Sequence, residues 1–210
     1  MSNEFATKGV KLAKLPSDYG STGFKMFKGS ILNNVEIAYE TWGELSNNND
    51  NAILLFTGLS PSSHAASSEN NKSNGWWEYM IGPNKPIDTN KYYVVCVNSL
   101  GSCFGSTSPA SINKVSGEIY GLTFPELSIE DIAKSGHAVL QTLGIDHAHT
   151  VMGPSMGGMT ALAYALLFPN SLSNLIVISA AARALPFTIS IRSLQRELIR
   201  SDPLWNNGIY

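Results

Sequence analysis

The sequence is poor in cysteine. Among its 210 residues only Cys96 and Cys103 are cysteines, and they form neither a Cys-x-x-Cys pair nor a Cys/His cluster with metal-ligand spacing. We expect both to be reduced thiols rather than a disulfide, which is typical of a cytoplasmic protein. The same spacing predicts that the chain holds no metal.

Charged residues are also scarce. They make up 14% of the chain, the net charge is −2, and no basic stripe could follow a phosphate backbone, so a nucleic-acid partner is not expected. No apolar run approaches the ~20 residues that cross a bilayer, and Met1–Phe5 lacks the pattern of a signal peptide. Hydrophobic residues make up 43%, enough for one sizeable core. We therefore expect a single soluble, cytoplasmic domain over residues 1–210 with no membrane partner.

One serine lies in a glycine-rich motif between a predicted strand and a predicted helix. The motif reads Gly-Pro-Ser-Met-Gly-Gly at 153–158, after the short run 149–152 and before helix formers that stop at Pro169. Strand, sharp turn and helix are the context of a G-x-S-x-G nucleophile elbow, although a plain glycine-rich turn is the alternative. We predict Ser155 as the nucleophile towards an acyl group. Met156 is predicted to donate its backbone N–H to the oxyanion, since it lies at the helix N-terminus.

A second oxyanion donor is expected after an earlier strand. The apolar run 51–56 is followed by a loop over 57–64, and in an α/β-hydrolase architecture this loop supplies the other N–H. Leu59 is the candidate, through its backbone. The alternative is an ordinary turn that leaves a strand.

Strand-like and helical segments alternate along the chain. Strands are predicted at 35–41, 52–57, 92–98, 150–152 and 175–179, and the later ones are short apolar runs, as in strands buried on both faces. Ser128 and Asp131 form a capping pattern for a helix that ends near Gly144. This alternation predicts an α/β fold with a mostly parallel sheet and helices on both faces.

Several irregular stretches resemble the homoserine/serine O-acyltransferase family of the α/β-hydrolase superfamily. They lie at 75–77, 81–89, 98–103, 105–109, 120–121, 124–125, 153–159 and 201–205. Their combination is specific, because a generic fold does not dictate irregular loops. Three further segments are most similar to the serine O-succinyltransferase branch: 58–67, 97–102 and 184–197.

The resemblance implies an α/β-hydrolase fold of which the chain holds the N-terminal portion. It implies transfer of a succinyl (or acetyl) group from acyl-CoA to the hydroxyl of L-serine through a Ser155 acyl-enzyme, in cysteine biosynthesis. Succinyl-CoA or acetyl-CoA would be a co-substrate, with no permanently bound cofactor. Three alternatives stay open: a homoserine O-acetyltransferase of methionine biosynthesis, a small-ester serine hydrolase and a non-catalytic α/β binding domain. The oligomeric state is open as well, with a homodimer of the full-length form as one expectation.

The resemblance also suggests substrate-binding residues. Those in the loop after the second strand are Ser63, His64, Ala65 and Ala66. A succinyl donor carries an extra carboxylate, which an arginine fits by a bidentate contact. Arg192 is the candidate for acyl-CoA specificity, Arg183 and Arg196 are alternatives, and each could instead be an arginine on a solvated surface.

The chain departs from the family at the catalytic triad, whose Asp and His follow the serine in the sequence. All four histidines precede Ser155: His64, His137, His147 and His149. The only acidic residues after it are Glu197 and Asp202. We therefore expect a domain that is incomplete at its C-terminus, and a 210-residue polypeptide that is impaired or inactive on its own.

Overall fold

The computed structural model of the chain describes residues 8–16 and 23–208. The prediction made on Met1–Phe5 lies outside them. The strands of the described part are β1 Lys11–Lys14, β2 Phe24–Lys25, β3 Ile31–Leu32, β4 Glu36–Trp42, β5 Ala52–Phe56, β6 Ile81–Gly82, β7 Ile87–Asp88, β8 Tyr93–Val97, β9 Ala148–Pro154 and β10 Leu172–Ile178. Its α-helices are α1 Ile129–Thr142, α2 Met156–Leu167 and α3 Pro186–Arg200. None of these helices combines the length and apolarity that a membrane span requires.

Six strands form the central sheet in the order β1-β4-β8-β5-β9-β10. β8, β5, β9 and β10 run parallel to one another, whereas β4 pairs antiparallel with β8 and β1 pairs antiparallel with β4. Because the parallel strands end at the same edge, the loops that follow them converge there. The predicted mostly parallel α/β sheet is confirmed, and each of the five predicted strands is present with slightly shifted bounds.

The predicted caps of α1 are also present. The Ser128 hydroxyl accepts a hydrogen bond from the Asp131 N–H, and the Asp131 carboxylate accepts one from the Ser128 N–H. At the other end Gly144 has φ 72°, a left-handed conformation that favours glycine. The N–H groups of Gly144 and Ile145 donate to Gln141 and Leu140, which ends the helix and turns the chain towards β9.

The inner strands are buried on both faces, and different layers cover the two faces. Alternate residues such as Leu54 and Phe56 pack with the apolar side of α1 and with α2. The residues between them, such as Leu55, pack against the segment 65–81, in which Trp76 and Trp77 stack at 5.2 Å between ring centroids. The long segment after β5 therefore serves as a layer of the fold as well as a loop beside the site.

The sheet ends in an exposed strand. In β10, the outermost strand of the described sheet, Leu175 and Ile176 are 38% and 44% exposed. The apolar side chains of α3 are exposed as well, and Phe187 is 77% accessible. The apolar side chains of β10 and α3 thus form an exposed surface, which favours association with other molecules.

Candidate active site

Ser155 lies on a strained turn at the carboxyl edge of the sheet. β9 ends at Pro154, α2 begins at Met156, and Ser155 between them has φ 54° and ψ −120°. A non-glycine residue rarely adopts this conformation, and strain of this kind concentrates at functional sites. The side chain is exposed, while its N–H donates to the Ile178 carbonyl at 2.9 Å. This is the geometry of a nucleophile elbow.

The glycines of the motif allow the close approach of three elements. A Cβ on Gly153 would lie 2.5 Å from the Gly157 carbonyl carbon. A Cβ on Gly157 would lie 2.3 Å from the Phe56 carbonyl oxygen, and one on Gly158 would lie 2.7 Å from the Ala180 Cβ. These distances are shorter than van der Waals contact, so a side chain at any of the three positions would collide with the neighbouring segment.

Two backbone segments border the serine. Met156 is the first residue of α2, and the first N–H groups of a helix have no carbonyl partner within it. The end of β5 touches the elbow, because the Phe56 and Thr57 carbonyl oxygens face Gly157. The chain then turns through Leu59, which is 60% exposed. Both predicted oxyanion donors thus belong to segments that meet at the elbow.

In the described residues, no hydrogen bond reaches the Ser155 hydroxyl, and each histidine has partners elsewhere. His137 Nδ1 lies 3.0 Å from the Tyr164 hydroxyl oxygen, and its ring stacks on Phe168. His147 contacts Asn170 and Ser173, and His149 contacts Thr150. The partners of His64 are Glu40 and the Ser73 carbonyl.

The predicted substrate-binding residues of the loop after β5 are buried. Ser63, Ala65 and Ala66 are at most 1% exposed and His64 is 7% exposed. The side chains of Ala65 and Ala66 pack in the core with Leu55 and Trp76. These side chains therefore support the loop from inside the protein. A substrate would contact the exposed atoms of the loop instead.

Sequence reasoning missed two acidic side chains in this region. Glu40 is 3% exposed and contacts Ser63 and His64. Burial raises the pKa of Glu78, but N–H donors from Ser67 and Gly75, with the Ser67 hydroxyl and Lys85, bring it down to about 2. The available signal for Glu40 was an acidic residue directly after the buried run 37–39 of β4.

The three arginines considered for the acyl donor are exposed. Arg192 and Arg196 lie on α3 and hydrogen-bond to Gln195 and Ser193 of the same helix. Arg183 lies in the segment between β10 and α3. None of these contacts links an arginine to the elbow, so their role stays a prediction.

A separate cavity of about 590 Å³ lies beside the turn after β4. Its lining includes Glu40, Trp42, Ser67, Glu78 and Lys85. Neither Ser155 nor the three arginines belong to this lining. Ser155 and the cavity are therefore distinct features.

A family model matches the part of the chain that contains the elbow. The model that describes the alpha/beta hydrolase fold matches residues 51–210, which include β5, β8, β9, β10 and the elbow. The chain belongs to the α/β-hydrolase fold family. Membership confirms the fold class that the sequence predicted, including the strand-turn-helix setting of Ser155.

Curated relatives narrow the similarity within this fold family. A serine O-succinyltransferase of Litchfieldella anticariensis is 60% identical over 186 residues, covering 89% of this chain and 51% of the relative. One from Stenotrophomonas maltophilia is 53% identical over 207 residues, covering 99% and 55%. The chain thus spans about half the length of the curated relatives it matches.

Solved structures share the same architecture. The homoserine O-acetyltransferase from Bacillus anthracis superposes with a TM-score of 0.84 at 31% identity, covering 97% of this chain and 55% of that one. Esterase E22 gives a TM-score of 0.86 at 33% identity, covering 97% and 56%. Acyltransferases and an esterase are therefore both similar to this chain.

Proposed function

We propose that the chain provides the nucleophile and the oxyanion hole of a serine O-succinyltransferase. The strained backbone of Ser155 at the tip of β9 carries this proposal, because it holds an exposed hydroxyl beside the N-terminus of α2. The relatives at 53% to 60% identity support the choice of acyl donor and acceptor.

The proposed reaction has two half-reactions. The Ser155 oxygen attacks the thioester carbonyl of succinyl-CoA, the carbon–sulfur bond breaks, and coenzyme A leaves as the thiol with the serine proton. The hydroxyl of L-serine then attacks the acyl-enzyme, which releases O-succinyl-L-serine and returns a proton to Ser155. The Met156 and Leu59 N–H groups would stabilise the oxyanion in both steps.

The proton transfers need a base that the family places later in the sequence. None of the described residues hydrogen-bonds to the Ser155 hydroxyl, and the sequence has no histidine after position 155. None of the described residues is therefore proposed as the base.

Substrate recognition is proposed for two regions. The loop that contains Ser63, His64, Ala65 and Ala66 would form part of the site for the acceptor amino acid. Because these four side chains are buried, they would support the loop rather than contact the acceptor. Arg192 would pair with the free carboxylate of the succinyl group, with Arg183 and Arg196 as alternatives. Arg192 is exposed, and its guanidinium donates to Gln195 of the same helix among the described residues, which leaves it accessible to an anion.

A small-ester hydrolase is the second candidate, favoured by the likeness to esterase E22. Homoserine acetylation is a further alternative, since the Bacillus anthracis structure carries that name. All three chemistries pass through an acyl-enzyme and differ in the acceptor that resolves it. Water access to Ser155 would therefore decide between transfer and hydrolysis.

The discriminating experiment varies both the acyl donor and the acceptor. Purified protein would receive succinyl-CoA or acetyl-CoA with L-serine, L-homoserine or neither, and the products would be identified by mass spectrometry. We expect O-succinyl-L-serine to dominate. Formation of free succinate whether or not an amino acid is present would favour the small-ester hydrolase. Formation of O-acetyl-L-homoserine would favour a homoserine O-acetyltransferase.

Arginine variants test the donor preference. Arg192→Ala should raise the KM for succinyl-CoA roughly tenfold, the order expected for one charged hydrogen-bonded contact, and leave acetyl-CoA unaffected. Arg200→Ala is the matched control, because Arg200 lies on the same helix and pairs with Glu197. Equal effects of the two variants would remove Arg192 from the proposal.

The cellular setting is proposed from the thiols. Cys96 is a reduced, buried cysteine, and Cys103 is exposed. A reduced cysteine suits a reducing compartment, so we propose that the reaction takes place in the cytoplasm.

A further inference from the structure

The segment that carries Leu59 is tied to the sheet by a buried polar cluster. Glu40, in the middle of β4, pairs with Cys96 of β8 in the sheet register and is 3% exposed. A carboxylate at such a position is costly unless hydrogen bonds and an opposite charge compensate it. It contacts His64 Nδ1 at 2.9 Å and accepts a hydrogen bond from the Ser63 hydroxyl at 3.3 Å.

The geometry around His64 favours its charged form. Nε2 lies 2.9 Å from the Ser73 carbonyl, which can only accept, and Nδ1 faces the Glu40 carboxylate. Asn71 Nδ2 lies 3.4 Å from Nδ1, too far to compete with Glu40. Burial lowers the pKa of His64, but its hydrogen bonds to Glu40 and Ser73, together with nearby negative charge, raise the pKa above its ordinary value. Glu40 and His64 thus form a buried hydrogen-bonded pair.

Asn98, directly after β8, holds the same segment from a second side. The Ser63 N–H donates to Asn98 Oδ1 at 2.6 Å, and Asn98 Nδ2 donates to the Ser63 hydroxyl at 3.0 Å. Asn98 itself is 1% exposed and also donates to the Phe104 carbonyl. Ser63 is therefore fixed to two neighbouring strands at once.

The turn with Leu59 is short and held at both ends. At one end the Phe56 and Thr57 carbonyls lie against Gly157 of the elbow. At the other end Ser63 is held by Glu40 and Asn98. Few residues separate these ends, so a shift of the anchor must move the Leu59 N–H relative to Ser155.

We propose that Glu40, together with His64 and Asn98, is a positioning group that sets the Leu59 N–H of the oxyanion hole. Glu40 does not touch the substrate; it acts through Ser63 and the turn between Thr57 and Ser63. The inference rests on the proposed function in one respect, since it takes Leu59 as an oxyanion donor.

The test uses a reagent that needs the oxyanion hole but no coenzyme A. A fluorophosphonate probe reacts with an elbow serine and places a phosphonyl oxygen where the oxyanion would lie. Labelling of Ser155 in the full chain would be followed by mass spectrometry in the wild type, in Glu40→Gln and in Ser63→Ala. Glu44→Gln is the matched control, because Glu44 is an exposed glutamate close to the end of the same strand.

We expect Glu40→Gln to slow labelling roughly tenfold or more, as a displaced catalytic group does. Ser63→Ala removes only one hydroxyl and should slow it severalfold, and Glu44→Gln should leave it unchanged. A thermal melt of each variant reports whether the fold persists. Unchanged labelling per folded molecule in both Glu40→Gln and Ser63→Ala would overturn the proposal.

A double-mutant cycle separates positioning from general loosening of the fold. Leu59→Pro removes the N–H itself, so Glu40→Gln should add little further loss in that background. Full additivity would show that Glu40 acts by another route and would overturn the proposal. Loss of succinyl transfer with the cycle still non-additive would instead overturn the proposed function alone.

Discussion

The strained backbone of Ser155 should reduce the stability of the protein. At φ 54° and ψ −120° the serine Cβ is crowded by its own backbone, whereas a glycine adopts this conformation readily. We therefore predict that Ser155→Gly stabilises the fold while it removes the nucleophile. Ser155→Ala is the matched control, because alanine keeps the Cβ and lacks only the hydroxyl.

The magnitude follows from two opposing terms. Relief of backbone strain of this kind gives about 1–3 kcal/mol. The greater conformational freedom of glycine in the unfolded chain lowers the stability of the folded state by about 0.5–1 kcal/mol and so offsets part of this gain. The net difference between the glycine and alanine variants should thus be about 1 kcal/mol. With a urea m-value of about 2 kcal/mol/M, the unfolding midpoint would rise by about 0.5 M.

The assay is equilibrium urea unfolding of the two variants, followed by tryptophan fluorescence and by circular dichroism. Two coincident probes would show that the transition is two-state. A glycine variant no more stable than the alanine variant would refute the reasoning, because the elbow would then store no strain.

Three further predictions concern packing, pH and the uncovered surface. Gly157→Ala should destabilise the fold by about 1–3 kcal/mol through overpacking against the end of β5, whereas Gly58→Ala, with space for a methyl group, should be nearly neutral in the same urea assay. Glu78→Gln should lower the Tm near pH 7, and the difference from the wild type should shrink as the pH falls from about 4.5 to about 2, because a depressed folded-state pKa stabilises only the ionised form. Replacing Leu175 and Ile176 by lysine should reduce self-association, measured by light scattering. Unchanged self-association would mean that β10 is not the surface through which the molecules associate.

Local patterns predicted the parts of the fold that depend on neighbouring residues. The cap of α1 needed only Ser128 and Asp131, three positions apart, and the elbow needed only the glycines around Ser155. Apolar runs identified the buried strands because both faces of each are covered. The short pairs β2–β3 and β6–β7 carried no such signal, since two residues show no periodicity.

Long-range polar contacts could not be predicted in the same way. Glu40 and His64 are 24 positions apart, and Ser63 and Asn98 are 35 apart. No local pattern pairs such residues, because their contact depends on how the segment after β5 folds over the sheet. The sequence predicted the loop after β5 as part of a substrate site, which stays a prediction, but it did not reveal that the side chains of Ser63, His64, Ala65 and Ala66 are buried.

The central claim is that Ser155 forms an acyl-enzyme with a coenzyme A thioester. The most direct measurement mixes the purified protein with succinyl-CoA, quenches the reaction within seconds to minutes, and maps the modified peptide by tandem mass spectrometry. We predict a succinyl group on Ser155, absent in Ser155→Ala and discharged by added L-serine. An unmodified Ser155 in a folded protein, or a succinyl group carried only by lysines or Cys103, would contradict the account.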